Sequence, residues 1–128
     1  KDSLESDGVI FIIHKQQEVL FLRVWVTRPI PRLRNERDWS GNSQIEPPNE
    51  PIEDRISEDQ AMAINTAKGM VLISGCGHAG IINPLEYIKV HINEAKLYAA
   101  IKGFHIVKAN DTHLKWTGEK LKAFGLKK

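Results

Sequence analysis

Two histidines, His78 and His105, stand 27 residues apart, and each closes a short glycine-containing stretch that follows an apolar run. Gly75-Cys76-Gly77-His78 follows Met70 to Ile73, and Lys102-Gly103-Phe104-His105 follows Leu97 to Ile101. Neutral imidazole is a ligand suited to zinc, copper, iron and nickel, so two rings converging on one crevice would point to a metal site. Cys76 lies in the same turn; with no base beside it in sequence, it reads as a small packed residue rather than a nucleophile.

The elements that must position these rings follow from the pattern around them. Met70 to Ile73 is short, apolar and bounded by glycines, as expected of a buried strand. Ile81, Leu85, Ile88 and Ile92 recur at helical spacing. Leu97 to Ile101 then reads as a second strand. The interval between the histidines thus holds one turn, one helix and one strand, the length of a crossover joining parallel strands. Such a unit carries both residues to the same edge of the sheet, where ligands bind in open α/β folds.

Composition narrows the function classes. A chain of 128 residues with 41% hydrophobic and 27% charged residues is an ordinary single globular domain. A net charge of +2 gives no case for nucleic acid or an anionic membrane as partner. A single cysteine excludes an internal disulfide and fits a cytoplasmic setting. No apolar run approaches the ~20 residues that cross a bilayer, and Lys1 to Asp7 has no signal-peptide pattern. The chain lacks an initiator Met, as expected of an excised or trimmed piece.

Taken in order, Gly8 to His14 and Glu18 to Val26 read as two strands of a hairpin joined by Lys15-Gln16-Gln17. Thr27 to Glu58 holds five of the six prolines. It reads as a long Pro-rich surface loop within the domain, either a lid over the crevice or a partly disordered linker. Gln60 to Thr66 and Gly69 to Ser74 form a second strand pair turned by Ala67-Lys68. Asn83 is the expected cap of the following helix, with Pro84 in its first turn. The final helix spans Asp111 to Phe124, capped by Asn110 or Asp111, with Leu114, Thr117, Leu121 and Phe124 on one face and Gly125 ending it. Trp25, Trp39 and Trp116 are expected in core or interface packing. His91 and His113 read as helix-surface residues. The resulting fold class is α/β, layered, in the order β-β-loop-β-β-α-β-α.

From about Val24 onward these residues resemble metallo-β-lactamase-fold hydrolases, and within them the dihydropterin–aminobenzene-phosphate synthase-like branch. The matching pieces are Val26-Thr27-Arg28-Pro29-Ile30-Pro31-Arg32 and Glu58-Asp59-Gln60-Ala61-Met62-Ala63-Ile64-Asn65. They continue through Gly75-Cys76-Gly77-His78-Ala79-Gly80-Ile81-Ile82-Asn83, Lys102-Gly103-Phe104-His105-Ile106 and Glu119 to Gly125. The resemblance implies the carboxyl-side half of an αββα sandwich with a dinuclear site, usually zinc, at the sheet edge. It implies that His78 and His105 occupy ancestral ligand positions, vestigial or partial. Asp59, Cys76, Gly75, Gly77 and Gly103 would support them, and Asp59 would orient a loop.

The sequence departs from that pattern at Gly77, where the family has Ser, and at Lys102, where it has Gly. No H-x-H-x-D-H stretch is present, and catalytic zinc needs about three protein ligands plus a water position. Three readings therefore stand. The chain is a fragment or truncated relative of a zinc-dependent hydrolase without activity of its own, holding zinc weakly or not at all. Or it is a non-enzymatic domain whose uncovered sheet face makes it a homo-oligomer or binds a complementary chain. Or it is a metallohydrolase whose missing ligands come from a neighbouring chain or from His14, Asp59, Asp111 or His113. No catalytic residue is assigned, and fold-level analogy selects no substrate.

Overall fold

The computed structural model describes residues 2–36, 44–45, 52–53, 56–92, 96–104, 106 and 109–127. In chain order the elements are α1 (Asp2–Ser6), β1 (Glu18–Phe21), β2 (Val24–Val26), β3 (Gln44–Ile45), β4 (Ile52–Glu53), β5 (Ala61–Thr66) and β6 (Gly69–Ser74). They continue with α2 (Ile82–His91), β7 (Leu97–Ile101) and α3 (Asp111–Phe124). Five strands form one sheet in the order β1-β2-β5-β6-β7, and β3 and β4 pair separately.

The register explains which side chains are buried. Trp25 of β2 lies opposite Ala63 of β5, which lies opposite Leu72 of β6. Paired residues share a face, so these three form a row across the sheet, and all three are buried. They join a cluster with Ile81, Ile82, Leu85, Ile88 and Ile92 along α2, against which Trp116, Leu121 and Phe124 of α3 also pack. The alternate rows, Val24-Ile64-Val71 and Val26-Met62-Ile73, stand on the opposite face and are only half-buried. Apolar residues on both faces are the pattern of a sheet made to be covered twice.

β6 and β7 are parallel, joined through α2, which is the crossover expected from the interval between the two histidines. α3 starts and ends on the expected signals. Asn110 accepts the His113 N–H, and Gly125 takes the left-handed conformation at φ 73°. On its face Leu114 is exposed, and Trp116 packs inward instead. Trp25 is a core residue, while Trp39 lies outside the described residues.

The amino-terminal hairpin differs from expectation. It lies within Glu18–Val26, where Leu22 and Arg23 turn the chain and Arg23 adopts φ 67°. Gly8 to His14 is not a strand, and Ile10, Ile12 and Ile13 are exposed. β2 already has β1 and β5 as its two partners, so an apolar run before β1 finds no ladder within this hairpin. The Pro-rich segment is also not uniformly a surface loop. Its described start is tied into the core by Thr27, Ile30 and Glu36, all buried. Thr27 acts as a clasp. Its N–H donates to Ala61 O at 2.9 Å, and its Oγ1 accepts the Ala61 N–H at 3.0 Å. Among the described residues no helix is long and apolar enough to cross a membrane.

Candidate functional site

The strand β6 ends at Ser74, and the chain bends at Gly75 and Cys76. Gly77 sits at φ 64° and Gly80 at φ 80°, both in the left-handed region that a side chain disfavours. The Gly80 N–H closes on Gly77 O at 3.0 Å, so His78 and Ala79 occupy the bend between two glycines. Ile81 then precedes α2.

Three distant segments hold this bend. The Ala79 N–H donates to Asp59 Oδ2 at 2.7 Å. Asp59 is itself fixed, its carbonyl accepting the Ile30 N–H at 2.8 Å. On the β7 side, the Gly103 N–H donates to Gly75 O at 2.8 Å, and Lys102 Nζ donates to Gly77 O at 2.9 Å. The third segment brings Glu36, whose buried carboxylate accepts from the Ile81, Ile82 and Asn83 N–H groups at 2.8–3.0 Å. Those are free donors of the first turn of α2, at the positive end of its dipole. A helix amino terminus beside a glycine turn is otherwise a ready anion site. Here the protein's own carboxylate fills it.

Asn83 is consequently not the cap. The N-cap position is Ile81, which makes no side-chain cap bond. Asn83 is buried and instead accepts the Arg34 N–H at 2.7 Å, while its amide donates to Arg34 O and Ala79 O. It therefore welds the Pro-rich segment to the turn that Glu36 also grips. Glu36 was invisible to pattern reading, because a single acid in a proline-rich stretch carries no periodicity.

The predicted site residues divide as follows. His78 is half-buried with its Nδ1 enclosed by protein. Asp59 touches the residue after it. Gly75, Gly77 and Gly103 lie in the two segments that meet here, and Cys76 is exposed. His105 lies outside the described residues. His14 pairs with Glu18 at 2.9 Å, the His91 ring lies tilted against Tyr87 with centroids 4.4 Å apart, and half-buried His113 stacks on the Trp116 ring at 5.8 Å. His113 also borders a recess of about 10 Å³ with Glu36, Gly80 and Lys102.

Among the described residues no three of His, Cys, Asp and Glu come together to hold a metal ion. Among the described residues the donors at the turn are the His78 imidazole, the exposed Cys76 thiol and carboxylates already committed to backbone N–H groups, with an ammonium at Gly77. That set does not fit a dinuclear centre.

Gly77 and Lys102 are coupled. A side chain at position 77 would begin 2.6 Å from the Lys102 Cε and Nζ. The two departures from the hydrolase pattern thus fit one another, the lysine filling space that the glycine leaves. Gly77→Ser is expected to destabilise by about 1–2 kcal/mol, mainly through the positive φ. Adding Lys102→Gly should recover a measurable part of that in a denaturant double-mutant cycle, because the two sites touch. Strict additivity would show the contact to be unimportant.

No family model matches the chain. It is 39% identical over 77 residues to a 7,8-dihydropterin-6-methyl-4-(β-D-ribofuranosyl)-aminobenzene-5'-phosphate synthase of Methanocaldococcus jannaschii, covering 59% of this chain and 26% of the relative. It is 40% identical over 63 residues to an uncharacterised protein of the same organism, covering 49% of this chain and 22% of that one. The matches thus span about a quarter of each curated relative's length. A crystal structure of a metal-dependent hydrolase of the β-lactamase superfamily superposes with a TM-score of 0.75 at 23% identity, covering 91% of this chain and 44% of that one. The fold of this chain is part of a metallo-β-lactamase-like fold.

Proposed function

We propose that this chain forms one side of the metal edge of a metallo-β-lactamase-type hydrolase, contributing His78, and that these 128 residues alone do not catalyse hydrolysis. One observation carries the reading. The parallel β6–β7 pair brings the Gly75–Ala79 turn against Lys102–Gly103, with Gly103 N–H on Gly75 O at 2.8 Å. That junction is the carboxyl edge of two parallel strands, where α/β folds place their chemistry. His105, one residue past Phe104, is proposed as the neighbouring ancestral position, and zinc as the metal of the complete site. Asp59 would orient the turn through Ala79.

The test is direct. The chain is loaded with zinc, desalted, and assayed for metal content and for hydrolysis of bis(p-nitrophenyl) phosphate. The expected outcome is well under one equivalent of retained zinc and no turnover above buffer. Stoichiometric, tightly held zinc with turnover lost in His78→Ala would overturn the claim of inactivity.

A second reading, that the domain docks on another copy or on a complementary chain, is favoured by a separate observation. Ile10, Ile12, Ile13, Phe21 and Leu22 are each at least 72% exposed, a concentration of large apolar side chains that marks an interface. Size-exclusion with light scattering over a wide concentration range decides it, and a strict monomer throughout removes self-association.

A further inference from the structure

A cavity of about 460 Å³ opens between α2, α3 and the 31–34 segment. That volume lies within the ~300–1,000 Å³ of small-molecule sites. It is remote in role from the His78 turn and shares none of that turn's residues. Its floor and walls are apolar and aromatic: Leu33, Tyr87, Val90, Ala123 and Phe124. Leu33 and Val90 are more than 70% exposed, so the groove offers apolar surface that nothing among the described residues covers.

The Arg34 wall is tied to α2. Arg34 holds Glu86 at 2.9 Å, and its backbone is bound on both sides by the Asn83 amide. Hydrogen bonding to Glu86 and its charge raise the Arg34 pKa further above its ordinary value. Glu86 is the only acid among the described lining residues, and it is thereby neutralised. Lys89 and Lys120 also line the groove, with Lys89 Nζ 5.8 Å from the Phe124 ring centroid and Lys120 Nζ 6.0 Å from that of Trp116. His91 stands beside Tyr87 in the same lining.

We infer that this groove binds an organic anion with an aromatic-sized apolar body, its ring between Tyr87, Val90 and Phe124 and its oxyanion between Lys89 and Lys120. The charge pattern selects the class. A cation would meet Arg34, Lys89 and Lys120 with one committed carboxylate in return, and a neutral ring would leave the lysines without a counter-charge.

The experiment titrates the chain with anilinonaphthalene sulfonate and with the neutral N-phenylnaphthylamine, following fluorescence and backbone amide shifts. The sulfonate should bind at one saturable site, about tenfold tighter than the neutral ring at low salt, with shifts concentrated in α2 and α3. Raising salt should shrink that gap, because exposed charges are screened. Lys89→Glu with Lys120→Glu should abolish the preference, with circular dichroism confirming the fold. Lys89→Gln with Lys120→Gln serves if the reversal unfolds the chain. Equal affinity for the two dyes, an unchanged preference in the variants, or shifts confined to residues 10–13 and 19–22 would overturn the proposal.

Discussion

Glu36→Ala is expected to lower the folding stability by about 3 kcal/mol, more than a surface substitution in a loop would. The carboxylate satisfies three buried backbone donors at the start of α2. Removing a cap typically costs ~1 kcal/mol, and each buried donor left unpaired costs ~1–3 kcal/mol before water enters. The charge also interacts with the amino-terminal end of the helix dipole. Because a domain of this size is stable by only ~5–15 kcal/mol, the loss should appear as a fall in Tm of roughly 10 °C. Glu36→Gln keeps one acceptor oxygen but turns an amide NH₂ toward backbone donors, so it should lie between alanine and wild type. Thermal unfolding by circular dichroism measures both. A Glu36→Ala change under ~0.5 kcal/mol, the level of an ordinary surface site, would refute this role.

Gly80→Ala should cost at least as much, about 3 kcal/mol or more, for two separable reasons. The residue sits at φ 80°, where an L side chain is strained by ~1–2 kcal/mol. Its Cβ would also fall about 2.5 Å from Cβ, Cδ and Oε2 of Glu36, so the capping carboxylate must move. Gly125 provides the internal control, since it has nearly the same φ, 73°, but open space where a Cβ would go. Gly125→Ala should therefore cost only the conformational part, and the difference between the two variants isolates the contact with Glu36. In the Glu36→Ala background, Gly80→Ala should become cheaper by about 1–2 kcal/mol, because its clash partner is gone. Additive losses would mean that the two residues do not constrain one another.

These residues also mark where sequence reading succeeds and where it stops. β6, β7 and α3 were readable because their signals are local. The runs Met70–Ile73 and Leu97–Ile101 are apolar and bounded by breakers, and Asn110 and Gly125 punctuate α3. The parallel β6–β7 step followed from the length of the crossover. Gly8–His14 misled because an apolar run reports hydrophobicity, whereas a strand also needs a neighbour for its backbone bonds. Asn83 misled because it has the right type but stands two positions past the N-cap Ile81, and its amide is spent on Arg34 and Ala79 instead. Glu36 and the Gly77–Lys102 fit depend on contacts across 25 or more residues, and no periodicity encodes such contacts. The resemblance flagged Gly77 and Lys102 as departures, and the structure places the two in contact.

The proposed function rests on His78 standing in a turn held by Asp59, Glu36 and Lys102–Gly103, with too few ligand partners among the described residues to hold a metal firmly. The measurement that reaches this most directly is a zinc titration of the isotope-labelled chain, following the five imidazole rings by NMR. The predicted result is weak, fast-exchange binding in which the His78 ring responds, a response abolished by His78→Ala. Tight stoichiometric binding, or binding that leaves the His78 ring unmoved, would contradict it.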